Sequence, residues 1–139
     1  MAGRSVGINF NKSRRFINTI NGHRLVEWCN QNSPEKSDEL MENLFHSYFE
    51  EAKDISTTNE LIDIAIKVGL NEQSVRDLYQ SNELRSEVLE LDQKAKQRYR
   101  VSGVPYFIVE DSNGGRPVAF SGAQPAEIIA QVLEEAQGN

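Results

Sequence analysis

The sequence predicts an α+β fold in which helices come first and a β-hairpin with a final helix follows. Apolar residues recur at helical spacing from about residue 19 to about residue 100. The composition then changes, because PYFIVE (105–110) and PVAFSG (117–122) are rich in β-branched and aromatic residues. A glycine-rich loop separates these two runs, which is typical of a β-hairpin.

Composition restricts the class of protein. The chain has 139 residues, the length of one ordinary domain, with 38% hydrophobic and 26% charged residues. Its net charge of −6 disfavours nucleic-acid binding. The start, MAGRSVGINF, has no apolar core typical of a secretory signal, and the apolar stretches are too short to span a bilayer. We therefore expect a cytoplasmic protein with no membrane and no nucleic-acid partner.

The N-terminal region is predicted to begin irregularly and then become helical. Residues 1–17 are polar and mixed, so we expect an irregular segment there. A first helix is predicted from Thr19 to about Asn32, ending before the breaker Pro34. A second is predicted from about Glu35 to Asp54. The aromatic residues on these two helices, Trp28, Phe45, Tyr48 and Phe49, are predicted to belong to the core.

Two further helices have clear start and stop signals. Thr57 followed by Glu60 three residues later predicts a capping box, and Gly69 ends the helix that it starts. Asn71 is the expected cap of the next helix, which runs to about Gln80.

A fifth helix is predicted over about 81–100, with an inward face formed by Leu84, Val88, Leu91 and Ala95. The cations of KAKQRYR (94–100) suit the end of this helix better than an anion site, because they favour the macrodipole. The last helix opens near Pro125, and its buried face is predicted to be Ile128, Ile129, Val132 and Leu133. The predicted division is an irregular segment (1–17), a helical domain (18–101) and a ββα region (102–139).

Cys29 is the only cysteine, so neither an internal disulfide nor a CxxC motif can form within this chain. Its neighbours Glu27 and Asn30 provide no positive charge to stabilise a thiolate, so a buried structural cysteine is expected. The two histidines, His23 and His46, do not share a metal-ligand spacing with Cys29. We therefore predict no catalytic residue and no metal site.

Four segments in order carry a family resemblance: NTINGHRL (18–25), LFHSYFEEAKDIS (44–56), SGVPYF (102–107) and FSGAQP (120–125). The chain resembles the DSBA-type thioredoxin-like family, specifically its cytosolic FrnE-like branch, over nearly its whole length. Kappa-class glutathione transferases and 2-hydroxychromene-2-carboxylate isomerases share that architecture. The resemblance implies a helical insertion domain followed by the C-terminal ββα half of a thioredoxin-like fold. The family's N-terminal βαβ half, with its CxxC, has no counterpart here.

The resemblance also implies a substrate site around Pro105. This residue matches the family's cis-proline, although only about 5–6% of X–Pro bonds in folded proteins are cis. The N–H and C=O of Val104 would then pair with the backbone of an extended thiol substrate or of glutathione. The alternative, from the residues alone, is a trans proline at the start of an edge strand.

Two more positions follow from the resemblance. His23 matches a position near the family's cleft, with a packed surface histidine as the alternative. The loop before the last helix would offer N–H groups to an anion such as a glutathione carboxylate, or would simply cap the helix; it comprises Ser121, Gly122, Ala123 and Gln124.

Thiol–disulfide exchange, the family's activity, needs a thiolate nucleophile, so this chain alone is expected to be inactive. Three hypotheses remain open: an oxidoreductase whose N-terminal half is absent from these residues, a kappa-like glutathione-binding protein or isomerase, and a non-catalytic helical binding module. No resident cofactor is expected, and glutathione is the small-molecule ligand that the resemblance suggests. If the missing half is supplied, the expected partner is a thiol or disulfide protein substrate or glutathione. The open sheet edge predicts one of three outcomes: a homodimer paired through that edge, aggregation, or complementation by a separate βαβ partner.

Overall fold

The computed structural model describes residues 2–138. Met1, in the predicted irregular segment, and Asn139, in the predicted C-terminal region, lie outside the described residues. The chain divides into two compact units, one up to Leu91 and the other from Asp92 onward. The boundary lies inside a helix, ahead of the composition change that begins at residue 102.

The first unit is helical, as predicted. After a 3-10 turn at Arg4–Val6, its elements are α1 (Ile20–Asn32), α2 (Ser37–Phe45), α3 (Thr58–Lys67), α4 (Glu72–Gln80) and the start of α5 (Arg85–Arg98). The second predicted helix is more complex than expected, because a 3-10 turn precedes α2 and a π-helix, His46–Glu50, continues it. Within residues 2–138, no helix combines the length and apolarity needed to cross a bilayer.

Of the two predicted helix caps, the structure confirms the cap of α4 and not that of α3. The Oδ1 atom of Asn71 accepts a hydrogen bond from the N–H of Ser74 at 2.9 Å, which confirms the predicted cap of α4. Thr57 precedes α3, but its hydroxyl donates to the carbonyl oxygen of Asp54 at 3.1 Å. The predicted capping box between Thr57 and Glu60 is therefore wrong, because Asp54 offers the hydroxyl a nearer local partner.

The core of the first unit is built from the inward faces of α1 to α4. The six largest of the fully buried side chains there are Leu25, Cys29, Leu40, Leu61, Val75 and Leu78. Burial of a leucine side chain contributes about 1.5–3 kcal/mol, so this cluster accounts for much of the unit's stability. The prediction of a buried, structural Cys29 is confirmed.

Arg24 of α1 is a charged residue inside this unit, only 5% exposed. Its Nη2 donates to the carbonyl oxygens of Leu78 and Ser81, both at 2.8 Å, and its Nε donates to that of Glu83 at 2.9 Å. Its Nη1 donates to Oδ1 of Asn21 at 3.1 Å. The positive charge therefore lies at the C-terminal end of α4, where unpaired carbonyl groups carry partial negative charge.

The second unit contains a hairpin and a helix. Strands β1 (Tyr106–Val109) and β2 (Val118–Ser121) pair antiparallel, from Tyr106 opposite Ser121 to Val109 opposite Val118. Helix α6 (Ala126–Gly138) lies against β1. Helices followed by ββα confirm the predicted α+β fold class.

Two predicted helix faces are only partly buried. On the α5 face, Leu84 is buried just before the helix and Val88 and Ala95 are half-buried, but Leu91 is 53% exposed. In α6, Ile128 and Leu133 are 44% and 48% exposed, and only the other two members of the predicted face are half-buried. A sheet of two strands is too narrow to cover the apolar stripe of a helix this long.

Candidate substrate-binding site

Pro105 lies immediately before β1, and the peptide bond that joins it to Val104 is cis. The carbonyl oxygen of Pro105 accepts a hydrogen bond from the N–H of Gly122 at 2.9 Å. This bond extends the sheet by one position beyond the pair of Tyr106 and Ser121. A proline is tolerated there because it lies just before β1, at the end of the hairpin, and not in a strand interior.

Gly122 is needed for this close approach. A Cβ atom at residue 122 would lie 2.8 Å from Cγ of Pro105 and 2.8 Å from Cε2 of Phe107, well inside the ~3.5–4 Å of a carbon–carbon contact. The rings of Phe107 and Phe120 stack across the two strands, with their centroids 5.0 Å apart. These contacts hold Pro105 and the loop after β2 together.

Val104 is the open part of the site. Its side chain is 90% exposed. Its peptide N–H and C=O form no hydrogen bond with any of the residues that the structure describes. An exposed peptide group beside a strand is what an extended peptide uses when it adds to a sheet.

The loop from Ser121 to Gln124 is held from within. The Nε2 of Gln124 donates to the carbonyl oxygen of Ser121 at 3.0 Å, and the N–H of Gly122 is bonded to Pro105. The Gly122–Ala123 peptide bond is also cis. Of the four residues predicted to offer N–H groups to an anion, Gly122 therefore has its N–H engaged inside the chain.

His23 belongs to the helical unit, on α1, whereas the other six predicted site residues lie in the second unit. Its side chain is exposed and lies at an apolar pocket of about 190 Å³, which Val26, Met41 and Leu44 also line. The structure therefore brings Val104, Pro105 and the 121–124 loop to one end of the hairpin, and within the helical unit His23 lies at this apolar pocket.

Three of the four aromatic residues predicted to belong to the core, Phe45, Tyr48 and Phe49, line the same pocket. Phe45 is 49% exposed and lines the pocket with Tyr48 and Phe49, so its prediction as a core residue is wrong. Trp28 alone of the four packs against the core cluster. Phe45 lies one position after the buried Leu44, about 100° around α2, so it falls at the margin of the buried stripe. Tyr48 and Phe49 lie in the π-helix His46–Glu50, whose wider turn changes the direction of its side chains relative to that stripe.

Among residues 2–138, no thiol lies at either place. Cys29 is fully buried; its Sγ donates to the carbonyl oxygen of Ser33 at 3.4 Å and accepts from the hydroxyl of Ser37 at 3.8 Å. Among residues 2–138, no group of three or more His, Cys, Asp or Glu side chains is arranged to hold a metal ion.

Charged groups surround the π-helix. The pKa of Glu50 is lowered, first by the hydrogen bond from the N–H of Asn9 at 2.9 Å and then by His46, whose Nδ1 lies 2.6 Å from the carboxylate. The pKa of Glu51 is lowered by the ammonium group of Lys53 at 2.9 Å, and that of Lys53 is raised in return.

The second unit has a proline just before its first strand, an antiparallel hairpin and a closing helix. These are the elements of the C-terminal half of a thioredoxin-like fold. The family model of the DSBA-like thioredoxin domain matches residues 2–134, so the chain belongs to that family.

Solved structures agree on the fold. The chain is similar to a probable DsbA oxidoreductase from Streptomyces coelicolor, with a TM-score of 0.83 and 22% identity over 99% of this chain and 56% of that chain. It is also similar to a candidate protein disulfide isomerase from Nitrosomonas europaea, with a TM-score of 0.82 and 20% identity over 97% of this chain and 68% of that one. A search of curated proteins gave no match. The chain spans little more than half the length of the Streptomyces coelicolor protein.

Proposed function

We propose that this chain provides the helical domain and the substrate-binding strand of a thiol–disulfide oxidoreductase of the FrnE-like branch. Membership of the DSBA-like family supports the reaction class. The observation that carries the proposal is the exposed, open peptide group of Val104 next to the start of β1.

In this proposal, an extended segment of the substrate lies alongside Val104. The N–H and C=O of Val104 pair with one substrate residue, so that the neighbouring substrate cysteine is held in one register. Fixing the reacting sulfur in this way lowers the entropic cost of the exchange step. The exposed Val104 side chain offers an apolar contact to the same segment.

The attacking thiolate comes from cysteines outside these 139 residues, because Cys29 is enclosed in the helical core. That thiolate attacks one sulfur of the substrate disulfide and forms a mixed disulfide. The other substrate sulfur leaves as a thiolate and takes a proton from water. The residues described here bind and orient the substrate and do not form the covalent bond.

Glutathione would use the same backbone groups, because it is a short extended peptide. The kappa-like alternative is therefore tested on the same sample, by titration with reduced glutathione beside a cystine-containing peptide.

Nuclear magnetic resonance titration of the 139-residue protein tests the binding step. We expect the peptide to shift the amide signals of Val104, Tyr106 and Gly122. Replacement of Val104 by proline removes the N–H of that residue and should weaken binding by about tenfold, the loss of one well-placed backbone hydrogen bond. Pro117→Ala, at the start of the other strand, is the matched control and should bind normally. Binding that leaves residues 103–107 unshifted would refute this site.

The natural protein tests the reaction. It is captured with an antibody against the helical unit, its intact mass is measured, and its reduction of insulin disulfides is assayed. Disulfide exchange by a species heavier than 15.7 kDa supports the oxidoreductase. A species of 15.7 kDa without exchange supports the second candidate, a non-catalytic binding module, which the apolar pocket beside the half-exposed Phe45 favours.

The hairpin also suggests a partner. Among the described residues the sheet has two strands, so its outer edges have free pairing groups. We infer that a second copy of the chain pairs there, and light scattering of the purified 139-residue protein measures it. A monomer with well-ordered strands would contradict this pairing.

A further inference from the structure

The helical unit carries a second pocket, of about 450 Å³, which we call the basic pocket. Its lining includes three cations and three aromatic rings: Lys12, Arg14, Arg15, Phe10, Phe16 and Tyr48. No carboxylate lines it. Within residues 2–138, none of the three cations forms an ion pair with an Asp or Glu. This concentration of unpaired positive charge is unusual in a chain whose net charge is −6.

The segment that carries these cations is fixed to the π-helix. The N–H of Asn11 donates to the carbonyl oxygen of Phe49 at 2.7 Å. The hydroxyl of Tyr48 donates to the carbonyl oxygen of Arg15 at 2.8 Å. These bonds hold the backbone on both sides of Arg14, so the three cations are positioned before any ligand arrives.

Arg14 is held further by two rings. Its Cζ lies 5.4 Å from the centroid of Phe10 and 5.3 Å from that of Phe49, both within the range of a cation–π contact. Phe16, in contrast, is fully exposed, at 106% of its reference area. An exposed phenyl ring is unfavourable in water, and a flat ligand that covers it removes apolar surface from solvent.

Charge determines the side of Phe16 on which an anion would bind. A third pocket, of about 550 Å³, lies on the other side of Arg15 and Phe16, and Lys53 and Asp54 line it. The pKa of Asp54 is lowered, chiefly by Ser56 and to a smaller extent by Arg15. Because Asp54 repels an anion on that side, the side that Lys12 and Arg14 line is favoured.

We propose that the basic pocket binds a small planar aromatic anion of the mononucleotide class, with its ring stacked on Phe16 and its phosphate held by Lys12, Arg14 and Arg15. The guanidinium group matches the oxygen geometry of phosphate, and aromatic side chains stack on bases of any identity. The volume falls in the ordinary range for a small-molecule site of about 300–1,000 Å³. A polynucleotide is disfavoured by the chain's net charge of −6.

Calorimetric titration of the 139-residue protein with AMP and with flavin mononucleotide tests this proposal, which is independent of the proposed thiol exchange. Adenosine and inorganic phosphate are the two half-ligands. We expect a dissociation constant below about 1 mM for at least one nucleotide, and binding at least about tenfold weaker for each half-ligand.

Three variants test the assignment of the site. Phe16→Ser and Lys12→Ala change exposed side chains and should each weaken nucleotide binding by about tenfold, with unchanged thermal unfolding. Lys67→Ala removes one exposed positive charge from α3 and should leave binding within about twofold of the original.

Three outcomes would overturn the proposal. The first is that neither nucleotide binds. The second is that inorganic phosphate binds as tightly as the nucleotides, which would remove the stacking contribution. The third is that Phe16→Ser and Lys12→Ala bind as tightly as Lys67→Ala, which would place the ligand elsewhere.

Discussion

Replacement of Arg24 by methionine should destabilise the helical unit strongly. Methionine keeps an unbranched apolar chain of similar length but removes the charge and all five N–H donors. Arg24 is 5% exposed, and its guanidinium forms four hydrogen bonds. Three of them go to backbone carbonyl groups near the C-terminal end of α4. The variant therefore separates the contribution of these bonds from that of side-chain packing.

The expected loss is a difference between two large quantities. Hydrogen bonds from a charged donor contribute about 1.5–3 kcal/mol each, so four of them amount to roughly 6–12 kcal/mol. Desolvation of the buried guanidinium, several kcal/mol, offsets much of this. The carbonyl oxygen of Leu78 keeps a second donor, the hydroxyl of Ser81 at 3.0 Å, and water reaches the exposed Ser81 and Glu83. We estimate a net loss of about 2–4 kcal/mol.

Urea unfolding followed by circular dichroism measures this loss. With a slope of about 1–3 kcal/mol per molar, the midpoint should fall by roughly 1–2 M. Arg76→Met is the matched control, because Arg76 is 44% exposed and pairs with Glu72 on the helix surface. Its effect should stay within about 0.5 kcal/mol. A loss below about 1 kcal/mol for Arg24→Met would show that desolvation cancels the hydrogen bonds.

Three further predictions concern the hairpin, the core and pH. Gly122→Ala should destabilise the hairpin by about 1–3 kcal/mol, because its Cβ would lie 2.8 Å from the ring of Phe107. Gly103→Ala is the control, because a Cβ there has no described atom within 4 Å. Equal shifts in the thermal unfolding temperature of the two variants would contradict the steric argument. Leu25→Ala, at a site with 0% exposure, should lose about 2–5 kcal/mol in urea unfolding, and a loss under about 1 kcal/mol would mean that the core collapses around it. The pKa of Glu50 lies below its ordinary 4.5, so its contribution to stability is present above that pH and is lost as pH falls through the lowered value. Unfolding measured from about pH 6 to about pH 3 should show this loss, and Glu50→Gln should reduce the slope; an unchanged slope would refute the role of this carboxylate.

Local signals in the sequence predicted much of the fold. Asn71 is followed by an apolar pattern at helical spacing, and it caps α4 as expected. Gly69 follows α3 with a φ of 81°, a conformation that glycine adopts without steric cost. The aromatic and β-branched runs around a glycine-rich loop predicted the two strands, which the structure confirms.

Features that depend on tertiary contacts were beyond the sequence. Arginine is rarely buried, so nothing local identified Arg24 as a residue whose backbone carbonyl partners lie 54 to 59 positions away. Phe45 follows the buried Leu44 by one position, about 100° around α2, and helical spacing does not show where the buried stripe ends, so Phe45 lines a pocket instead of the predicted core. The exposed Leu91 shows the converse error, because helical spacing predicts an apolar stripe but not whether another element covers it.

The candidate site was predicted only through the family resemblance. Spacing and composition alone favoured a trans proline at residue 105, and the cis bond is present in the structure. The hydrogen bond between Pro105 and Gly122 explains the glycine at that position, but no local pattern predicts it. The basic pocket was missed because Lys12, Arg14 and Arg15 lie in a segment predicted to be irregular.

The hydrogen bonds of Arg24 also affect how the helical unit opens. Helix ends normally fray at little cost, and their amide protons exchange with solvent long before the whole domain unfolds. Fraying of the last turn of α4 would here leave a buried cation without its acceptors, at a cost comparable to much of the unit's stability. The end of α4 and the middle of α1 are therefore joined into a single cooperative unit, although more than fifty residues separate them along the chain.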